Sequence, residues 1–157
     1  MSPHARNFDG LSVPADFELG VATSSWQIEG DSAGRGVANW DEFAAIPGNV
    51  ADGAGADPAC DHVHRLEEDL DLLAWLGVDA YRFSISWPRV MPTGTGAHSQ
   101  SGLDFYDRLV DGLIARNIKP VATLFHWDTP AVIEHEGGWS NRETAYKFAE
   151  YARAMAT

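Results

Sequence analysis

The sequence has little cysteine and few basic residues. Its 157 residues include one cysteine, Cys60, which cannot form a disulfide within the chain, and no C-x-x-C pair that would indicate a redox or zinc site. Eleven Lys and Arg stand against 23 Asp and Glu, which gives a net charge of −12. Because nucleic acids and anionic membrane surfaces attract basic proteins, neither is an expected partner.

Long apolar runs are also missing. The chain has no run of about 18 consecutive apolar residues, the length that spans a membrane, and its first ten residues lack the apolar segment of an export signal. We therefore expect a cytoplasmic protein without a membrane span. With 45% hydrophobic residues, the chain is long enough for one core, so we expect one domain or part of one.

Three short apolar segments predict strands. The first is F-E-L-G-V-A-T, at residues 17–23. The second is V-D-A-Y-R-F-S-I-S-W-P, which we expect to end at Pro88 because proline cannot donate to a β-ladder. The third is K-P-V-A-T-L-F-H-W, which is bounded by Pro120 near its start and Pro130 after its end.

Three amphipathic helices are predicted after these strands. The first is capped by Asp61 and Gly77, and its apolar stripe is Val63, Leu66, Leu70, Leu73 and Leu76. The core side of the second is Leu103, Tyr106, Leu109, Val110 and Leu113. The third opens on an S-x-x-E capping box, Ser140 and Glu143, and runs to the end of the chain. A shorter helical turn is predicted around residues 40–45.

The alternation of strands and helices indicates an α/β fold with parallel strands. A doubly wound sheet would carry a glycine-rich phosphate turn directly after the first strand, but G-D-S-A-G-R-G comes several residues later and no K-[S/T] follows it. A TIM barrel collects its functional residues at the carboxyl ends of the strands. Trp26 with Gln27, Trp87, and His126 with Trp127 occupy such positions, so a partial TIM (β/α)8 barrel is favoured.

Arg82 is a candidate site residue on the second strand. Period-two alternation places it on one face with two serines, and the opposite face carries Tyr81, Phe83 and Ile85. In a barrel the arginine would point inward, where a guanidinium needs an anionic partner to offset its loss of hydration. From spacing alone a structural ion pair, with Glu29 as the candidate partner, is favoured over a catalytic role.

Tryptophans beside polar side chains indicate a carbohydrate site. Flat aromatic faces cover the C–H faces of a sugar while polar groups bind its hydroxyls, and Gln27, His126 and Asp128 supply such groups. Some of the six tryptophans must serve the core. We expect this of Trp75, in a helix, whereas Trp26, Trp87 and Trp127 follow strands and are predicted to line the site.

Two polar clusters invite a catalytic or metal-binding interpretation, which we do not favour. The first cluster is Cys60, Asp61, His62 and His64. Residues two apart on a helix point in different directions, which argues against a metal site in this cluster. We therefore predict no metal at this cluster. The second cluster falls on the polar side of a helix and is predicted to be solvated: Glu67, Glu68, Asp69 and Asp71.

Four stretches also carry a resemblance to a known family. They are F-E-L-G-V-A-T-S-S-W-Q-I-E-G, D-A-Y-R-F-S-I-S-W-P-R-V-M-P, L-D-F-Y-D-R-L-V-D and P-V-A-T-L-F-H-W-D-T-P, with G-G-W-S-N-R after them. In this order, from about Phe17 onward, they resemble the amino-terminal part of family 1 of the glycoside hydrolases, the β-glucosidases and their relatives.

The resemblance implies a (β/α)8 barrel that hydrolyses β-glucosides, and in some members β-galactosides or β-fucosides, with retention of configuration and without a cofactor. Gln27 matches the glutamine that binds hydroxyls of the nonreducing sugar. His126 matches the histidine of the H-W-D motif that does the same, and Trp127 matches the tryptophan that lines that subsite. Arg82 matches the arginine that holds the nucleophilic glutamate.

The resemblance also indicates what the printed sequence does not contain. Retaining hydrolysis needs two carboxyl groups about 5–5.5 Å apart. The family takes its acid/base from an N-E-P motif after the fourth strand and its nucleophile from an E-N-G motif after the seventh, and neither motif occurs here. A whole barrel needs roughly 250 residues or more. We therefore interpret residues 1–157 as the amino-terminal part of a single barrel domain, about three βα units, truncated before the fourth strand.

This interpretation predicts a β-glucosidase-like chain without a catalytic residue of its own, inactive alone. The expected partners are a β-glucoside or short β-linked oligosaccharide and a complementary barrel fragment. Two alternatives stay open. The chain could be a non-catalytic sugar-binding module or inactive barrel fragment, or it could use substitute carboxylates from Glu29, Asp128 and Glu134.

Overall fold

The computed structural model describes Pro14 and residues 16–156. The predictions for the first ten residues lie outside these residues. The strands are β1 (Gly20–Ala22), β2 (Ala80–Ser84) and β3 (Lys119–Thr123). The helices are α1 (Ser25–Ile28), α2 (Asn39–Ala45), α3 (Leu66–Leu76), α4 (Trp87–Val90), α5 (Gln100–Ala115), α6 (Ala131–His135) and α7 (Arg142–Ala154). Single 3₁₀ turns lie at Ser32–Gly34, Ala51–Gly53 and Gly138–Ser140.

The three strands form one parallel sheet in the order β1-β2-β3. The register pairs Arg82 with Ala22 on one side and with Val121 on the other. Parallel neighbours in chain order require crossover connections, and α3 and α5 supply them. The carboxyl ends of all three strands therefore meet along one edge of the sheet, as the α/β prediction requires.

The core lies between one face of the sheet and the helices α3 and α5. Tyr81, Phe83 and Ile85 alternate along β2 and its extension and are buried, as the period-two pattern predicts. The helices supply the facing side chains, Leu66, Leu70, Leu73, Phe105, Tyr106, Leu109 and Leu113. On the opposite face Ala22, Arg82 and Val121 are exposed in one row. Among the described residues the sheet is thus covered on one face.

Several element boundaries differ from the sequence prediction. β1 is three residues long, and β2 ends at Ser84 rather than at Pro88. Pro88 instead lies in the first turn of α4. Its missing N–H costs no hydrogen bond there, because the N–H groups of a first turn have no acceptor within the helix. The predicted helical turn around residues 40–45 is confirmed as α2.

Two of the predicted helix caps are wrong. α3 starts after Arg65, and the carboxylate of Asp61 binds His64 Nδ1 at 2.6 Å instead of capping the helix. The N-cap of α7 is Asn141, whose side chain accepts a hydrogen bond from the amide of Glu143. Ser140 does not form the predicted capping box: it lies in the 3₁₀ turn before the N-cap, and its hydroxyl donates to the carbonyl of Gly137. α7 ends at Ala154 rather than at the last residue.

The C-terminal end of α3 agrees with its prediction. Gly77 has φ +66° in the left-handed region, and its amide donates to the carbonyl of Ala74. Glycine adopts this conformation without the steric penalty of a Cβ, which ends the helix directly before β2. Within the part of the chain that the structure describes, no helix has the length and apolarity needed to cross a lipid bilayer.

Candidate functional site

The carboxyl edge of the sheet carries three segments that follow β1, β2 and β3. Backbone hydrogen bonds continue past the strands and hold these segments in register. The amide of Thr23 donates to the carbonyl of Arg82 at 3.0 Å, and the amide of Ile85 donates to the carbonyl of Thr123 at 2.9 Å. Residues that directly follow the strands are therefore placed by the sheet itself.

Gln27 lies on α1, the short helix directly after β1, and its side chain is exposed. Its Oε1 accepts a hydrogen bond of 2.6 Å from the hydroxyl of Ser24. The neighbouring Trp26 is half-buried, and its Nε1 donates to Asp41 Oδ1 at 2.8 Å. Burial favours a raised pKa for Asp41, but the hydrogen bonds from Arg35 and its neighbours outweigh burial and lower that pKa. The indole of Trp26 is thus fixed by an ionised carboxylate.

His126 and Trp127 lie in the turn after β3. Their rings stack with centroids 5.9 Å apart and planes 10° apart. Trp127 is 67% exposed, and its φ of +75° is unusual for a bulky residue. Two hydrogen bonds with Asn39 at the start of α2 hold the next part of the turn: the amide of Asn39 donates to the carbonyl of Thr129 at 2.9 Å, and the amide of Thr129 donates to Asn39 Oδ1 at 3.1 Å.

Asp128 links this turn to α1. Its side chain is buried, and Oδ2 accepts a hydrogen bond of 2.8 Å from the hydroxyl of Ser25. The amide of Ser25 in turn donates to the hydroxyl oxygen of Ser84 at 2.8 Å. This chain of contacts joins the ends of all three strands. Burial raises the pKa of Asp128 from 3.8 to about 6, although the hydrogen bond from Ser25 opposes the shift.

Arg82 is exposed, and its Nε donates to Thr123 Oγ1 at 2.9 Å. The predicted ion pair between Arg82 and Glu29 is wrong, because Glu29 is bound by Arg89. Arg89 Nε donates to Glu29 Oε2 at 2.8 Å, and the hydroxyl of Tyr106 donates to Glu29 Oε1 at 2.6 Å. A second guanidinium nitrogen of Arg89 donates to Asp31 at 3.0 Å. Glu29 and Arg89 are both buried.

The buried carboxylate of Glu29 raises the pKa of the two side chains that bind it, Arg89 and Tyr106. Burial alone would lower the pKa of Arg89, but the carboxylate of Glu29 outweighs it and raises that pKa. Burial, together with the negative charge of Glu29, raises the pKa of Tyr106 well above its usual value. Arg89 therefore keeps its charge and Tyr106 keeps its proton, which suits a buried support beneath α1.

Sequence reasoning missed Arg89, and it placed Tyr106 in the core without its hydrogen bond to Glu29. One signal was present: Arg89 stands in the apolar run W-P-R-V-M-P, where α4 is buried throughout. A charged residue in such a run needs a buried partner of opposite charge. The partner lies 60 residues away in sequence, so spacing alone does not identify it.

Two of the tryptophan predictions are wrong. Trp87 belongs to the core rather than to the site: its ring stacks on Tyr151 at 5.2 Å, and its Nε1 donates to the carbonyl of Gly94 at 3.2 Å. Trp75, expected in the core, is 79% exposed on α3. The amphipathic stripe of α3 runs through Leu66, Leu70 and Leu73, and position 75 lies off that stripe.

The two polar clusters that we did not assign to a site, at residues 60–64 and 67–71, form hydrogen bonds and ion pairs with neighbouring side chains. His62 Nδ1 lies 2.6 Å from Asp69, and His64 pairs with Asp61. Within Pro14 and residues 16–156, no three His, Cys, Asp or Glu side chains are grouped so as to hold a metal ion. Of the acidic run, the exposed carboxylates of Glu67 and Asp71 bind Arg116, as expected of a polar helix face.

Comparison with known proteins identifies close relatives. The family model described as glycosyl hydrolase family 1 matches residues 11–157. The chain is 53% identical over 144 residues to a β-glucosidase of an Agrobacterium species, covering 90% of this chain and 31% of that enzyme. It is 49% identical over 144 residues to a 1,4-β-D-glucan glucohydrolase of Thermotoga neapolitana, covering 90% of this chain and 34% of that enzyme.

A solved structure agrees with these relatives. The β-glucosidase from Thermotoga maritima in complex with deoxynojirimycin matches with a TM-score of 0.88 and 50% identity, over 91% of this chain and 33% of that one. The prediction of a partial TIM barrel is therefore confirmed. The chain spans about a third of the length of the curated relatives it matches.

Proposed function

The chain belongs to glycosyl hydrolase family 1, and from this premise we propose that it is the sugar-binding amino-terminal part of a β-glucosidase barrel. The observation that carries the proposal is the placement of Gln27, His126 and Trp127. All three follow β1 or β3 at the carboxyl edge of the sheet, and the hydrogen bond from Ser25 to Asp128 joins their two segments.

The proposed roles follow the chemistry of each side chain. The amide of Gln27 and the imidazole of His126 can exchange hydrogen bonds with sugar hydroxyls. The exposed indole of Trp127 offers a flat apolar face to the C–H bonds of a pyranose ring. Arg82, exposed on the open face of the sheet, would hold the nucleophilic carboxylate of the completed barrel.

We propose a β-glucoside or a short β-linked oligosaccharide as the substrate. Relatives about half identical to this chain are named β-glucosidase and 1,4-β-D-glucan glucohydrolase. A similar enzyme binds deoxynojirimycin, a sugar-like inhibitor. The acidic chain, with a net charge of −12, suits a neutral sugar better than an anionic one.

We further propose that residues 1–157 do not catalyse hydrolysis alone. Hydrolysis with retention needs a nucleophilic carboxylate and a carboxylic acid about 5–5.5 Å apart. Glu29 is a poor substitute because both of its oxygens are bound by Arg89 and Tyr106. Asp128 is bound by Ser25 and buried. The catalytic carboxylates would come from a complementary part of the barrel.

The open surfaces of the sheet support such a complementary part. Beside β1, which pairs on one side among the described residues, a cavity of about 180 Å³ is lined mainly by apolar side chains, among them Val21, Leu72 and Leu73. At the other side Val121 of β3 is exposed on the uncovered face. Apolar surface next to unpaired strand edges is a surface that further strands and helices would cover.

An activity assay tests the proposed function. The purified chain is incubated with p-nitrophenyl β-glucoside, alone and joined to the remaining two thirds of the Agrobacterium β-glucosidase. We expect release of p-nitrophenol by the joined protein and none above background by the chain alone. Turnover by the chain alone that Asp128→Asn or Glu29→Gln abolishes would establish the substitute-carboxylate alternative instead.

The second candidate is a sugar-binding module without turnover, which the exposure of Trp127 favours. It predicts that glucose or cellobiose binds to the chain alone and that no complementary part restores hydrolysis. Calorimetric titration of the chain with cellobiose, combined with the activity assay of the joined protein, separates the two functions.

A further inference from the structure

We propose that Asp128 is a positioning residue for the sugar-binding edge: its buried carboxyl group holds Trp127 in its left-handed backbone conformation against His126 and ties this turn to the helix that carries Gln27. The proposal rests on the proposed function in one respect: it takes Gln27, His126 and Trp127 to be the side chains that bind sugar. We do not propose that Asp128 itself contacts the sugar.

The first step concerns the backbone of Trp127. A bulky residue with a φ of +75° is strained, and such a conformation persists only where its surroundings impose it. Directly after it, Asp128 is held by Ser25 and Thr129 is held by Asn39. The turn is therefore fixed from two elements, and Asp128 provides the link to α1.

The second step concerns what the link connects. Ser25 immediately precedes the Trp26–Gln27 pair, and its amide is bound by Ser84 of β2. A shift of the Asp128 carboxylate would thus act on both halves of the edge, on α1 and on the stacked rings of His126 and Trp127. Arg82, two residues before Ser84, extends its side chain to Thr123 at the end of β3.

The third step concerns the second carboxylate oxygen. Oδ1 of Asp128 is buried and has no hydrogen-bond partner among the described residues. A neutral carboxyl group tolerates this environment better than an ionised one, because the hydrogen bonds of Ser25 and Ser86 replace only part of the hydration that the buried charge loses. Ionisation of Asp128 therefore favours a loosened turn in which Oδ1 reaches water.

Among the titratable groups around Asp128, Glu29 acts in the same direction as burial. Glu29, on the α1 side, adds negative charge near Asp128, and burial raises the pKa of Asp128 to about 6. On α7 the hydroxyl of Tyr151 donates to the carbonyl of Leu124, and its pKa is raised by burial, with the charge of Asp128 contributing. His126, in the same turn, stacks on Trp127. The turn is thus expected to change between pH 5 and 7.5.

The test uses the full chain labelled with 5-fluorotryptophan, whose six tryptophan ¹⁹F signals are recorded from pH 5 to 8. Trp127→Phe assigns the Trp127 signal, and the exposed Trp75 on α3 serves as the internal control. We expect the Trp127 signal to shift with a midpoint near pH 6. In Asp128→Asn, which keeps an acceptor for Ser25, this shift should vanish, whereas Asp128→Ala should displace the signal at every pH.

Glucose titrations of the same proteins give the second readout. We expect the dissociation constant for glucose to rise about fivefold from pH 5 to 7.5, a modest coupling between sites, and to stay constant in Asp128→Asn. A Trp127 shift that persists in Asp128→Asn, or a Trp127 signal unchanged in Asp128→Ala, overturns the positioning role. A Trp127 shift that depends on Asp128 in a chain that binds no glucose at any pH supports the positioning role and removes the second candidate function, sugar binding by the chain alone; the proposed function is tested separately by the activity of the joined protein.

Discussion

At the residue scale, two arginines that stand seven residues apart in the sequence differ in environment: one is exposed and the other is buried. Arg82 projects from the uncovered face of the sheet, whereas Arg89 is buried with Glu29 and Tyr106. Alternation along β2 correctly separates the two faces, but it carries no information about which carboxylate pairs with which guanidinium. That choice depends on contacts across 60 residues of sequence, so the sequence led to the wrong partner for Glu29.

Removing Arg89 should destabilise the chain strongly. Arg89→Leu leaves the carboxylate of Glu29 buried without its cation, and loss of one partner of a buried ion pair costs about 3–5 kcal/mol. Arg82→Leu, on an exposed side chain, should change the free energy of unfolding by less than about 1 kcal/mol. Urea unfolding of both variants measures the difference, and equal effects would contradict the assignment of Arg89 as the buried partner.

Asp128 should make stability depend on pH. Its pKa is raised from 3.8 to about 6 in the folded chain, so between these values the folded state binds more protons than the unfolded state. The contribution of Asp128 to the free energy of unfolding is therefore fully present below pH 3.8, falls as the pH rises toward 6, and stays low above it. The whole change is about 3 kcal/mol at most, from about 1.4 kcal/mol per pKa unit.

The Asp128→Asn variant isolates this contribution. Its stability relative to the unmodified chain should rise from pH 4 to pH 6 and level off above, as measured by urea unfolding at fixed ionic strength. The matched control is Asp111→Asn, an exposed carboxylate on α5, which should give a difference that is nearly independent of pH. A flat difference for Asp128→Asn would show that burial does not favour the protonated form.

At the scale of elements, the regular parts of the fold follow from periodicity. α5 and the central part of α3 bury the residues that the 3.6-residue pattern predicts, because those positions face the sheet. The residues at which helices begin and end are less predictable. Ser140 and Asn141 are both common N-cap residues, and the 3₁₀ turn Gly138–Ser140, which the sequence pattern did not predict, places Asn141 rather than Ser140 at the start of α7.

The packing of α5 on α4 gives a prediction at this scale. A Cβ atom at Gly102 would lie too close to the backbone carbonyl oxygen of Arg89, which cannot move without shifting the buried ion pair. Gly102→Ala should therefore destabilise the chain by about 1–3 kcal/mol, despite the better helix propensity of alanine. Gly55→Ala, where a Cβ meets open space, is the control and should change thermal stability little. A stabilised Gly102→Ala variant would contradict this packing.

At the scale of the whole molecule, the three βα units place the proposed sugar-binding residues at one edge of the sheet, and among the described residues one face of the sheet stays uncovered. The class of fold and the meeting of the strand ends along this edge could be predicted from the order of strands and helices, because parallel strands with crossovers bring their carboxyl ends together. Side-chain positions within the edge could not, because the left-handed Trp127 and the buried Asp128 depend on Ser25 and Asn39, which lie about 90 to 100 residues away in sequence.

The last prediction requires a completed barrel, formed by joining residues 1–157 to the remaining two thirds of the Agrobacterium β-glucosidase. Gln27→Ala and His126→Ala should each lower kcat/KM for p-nitrophenyl β-glucoside by about 30- to 900-fold, which corresponds to about 2–4 kcal/mol. Hydroxyl contacts of this kind strengthen as the sugar ring distorts toward the transition state, so kcat should fall as well as kcat/KM. Glu67→Ala, which removes an exposed carboxylate on α3, should leave both parameters within about twofold. If Glu67→Ala reduced activity as much as the other two variants, Gln27 and His126 would have no special place in sugar binding, and the effect would instead reflect the stability of the joined protein.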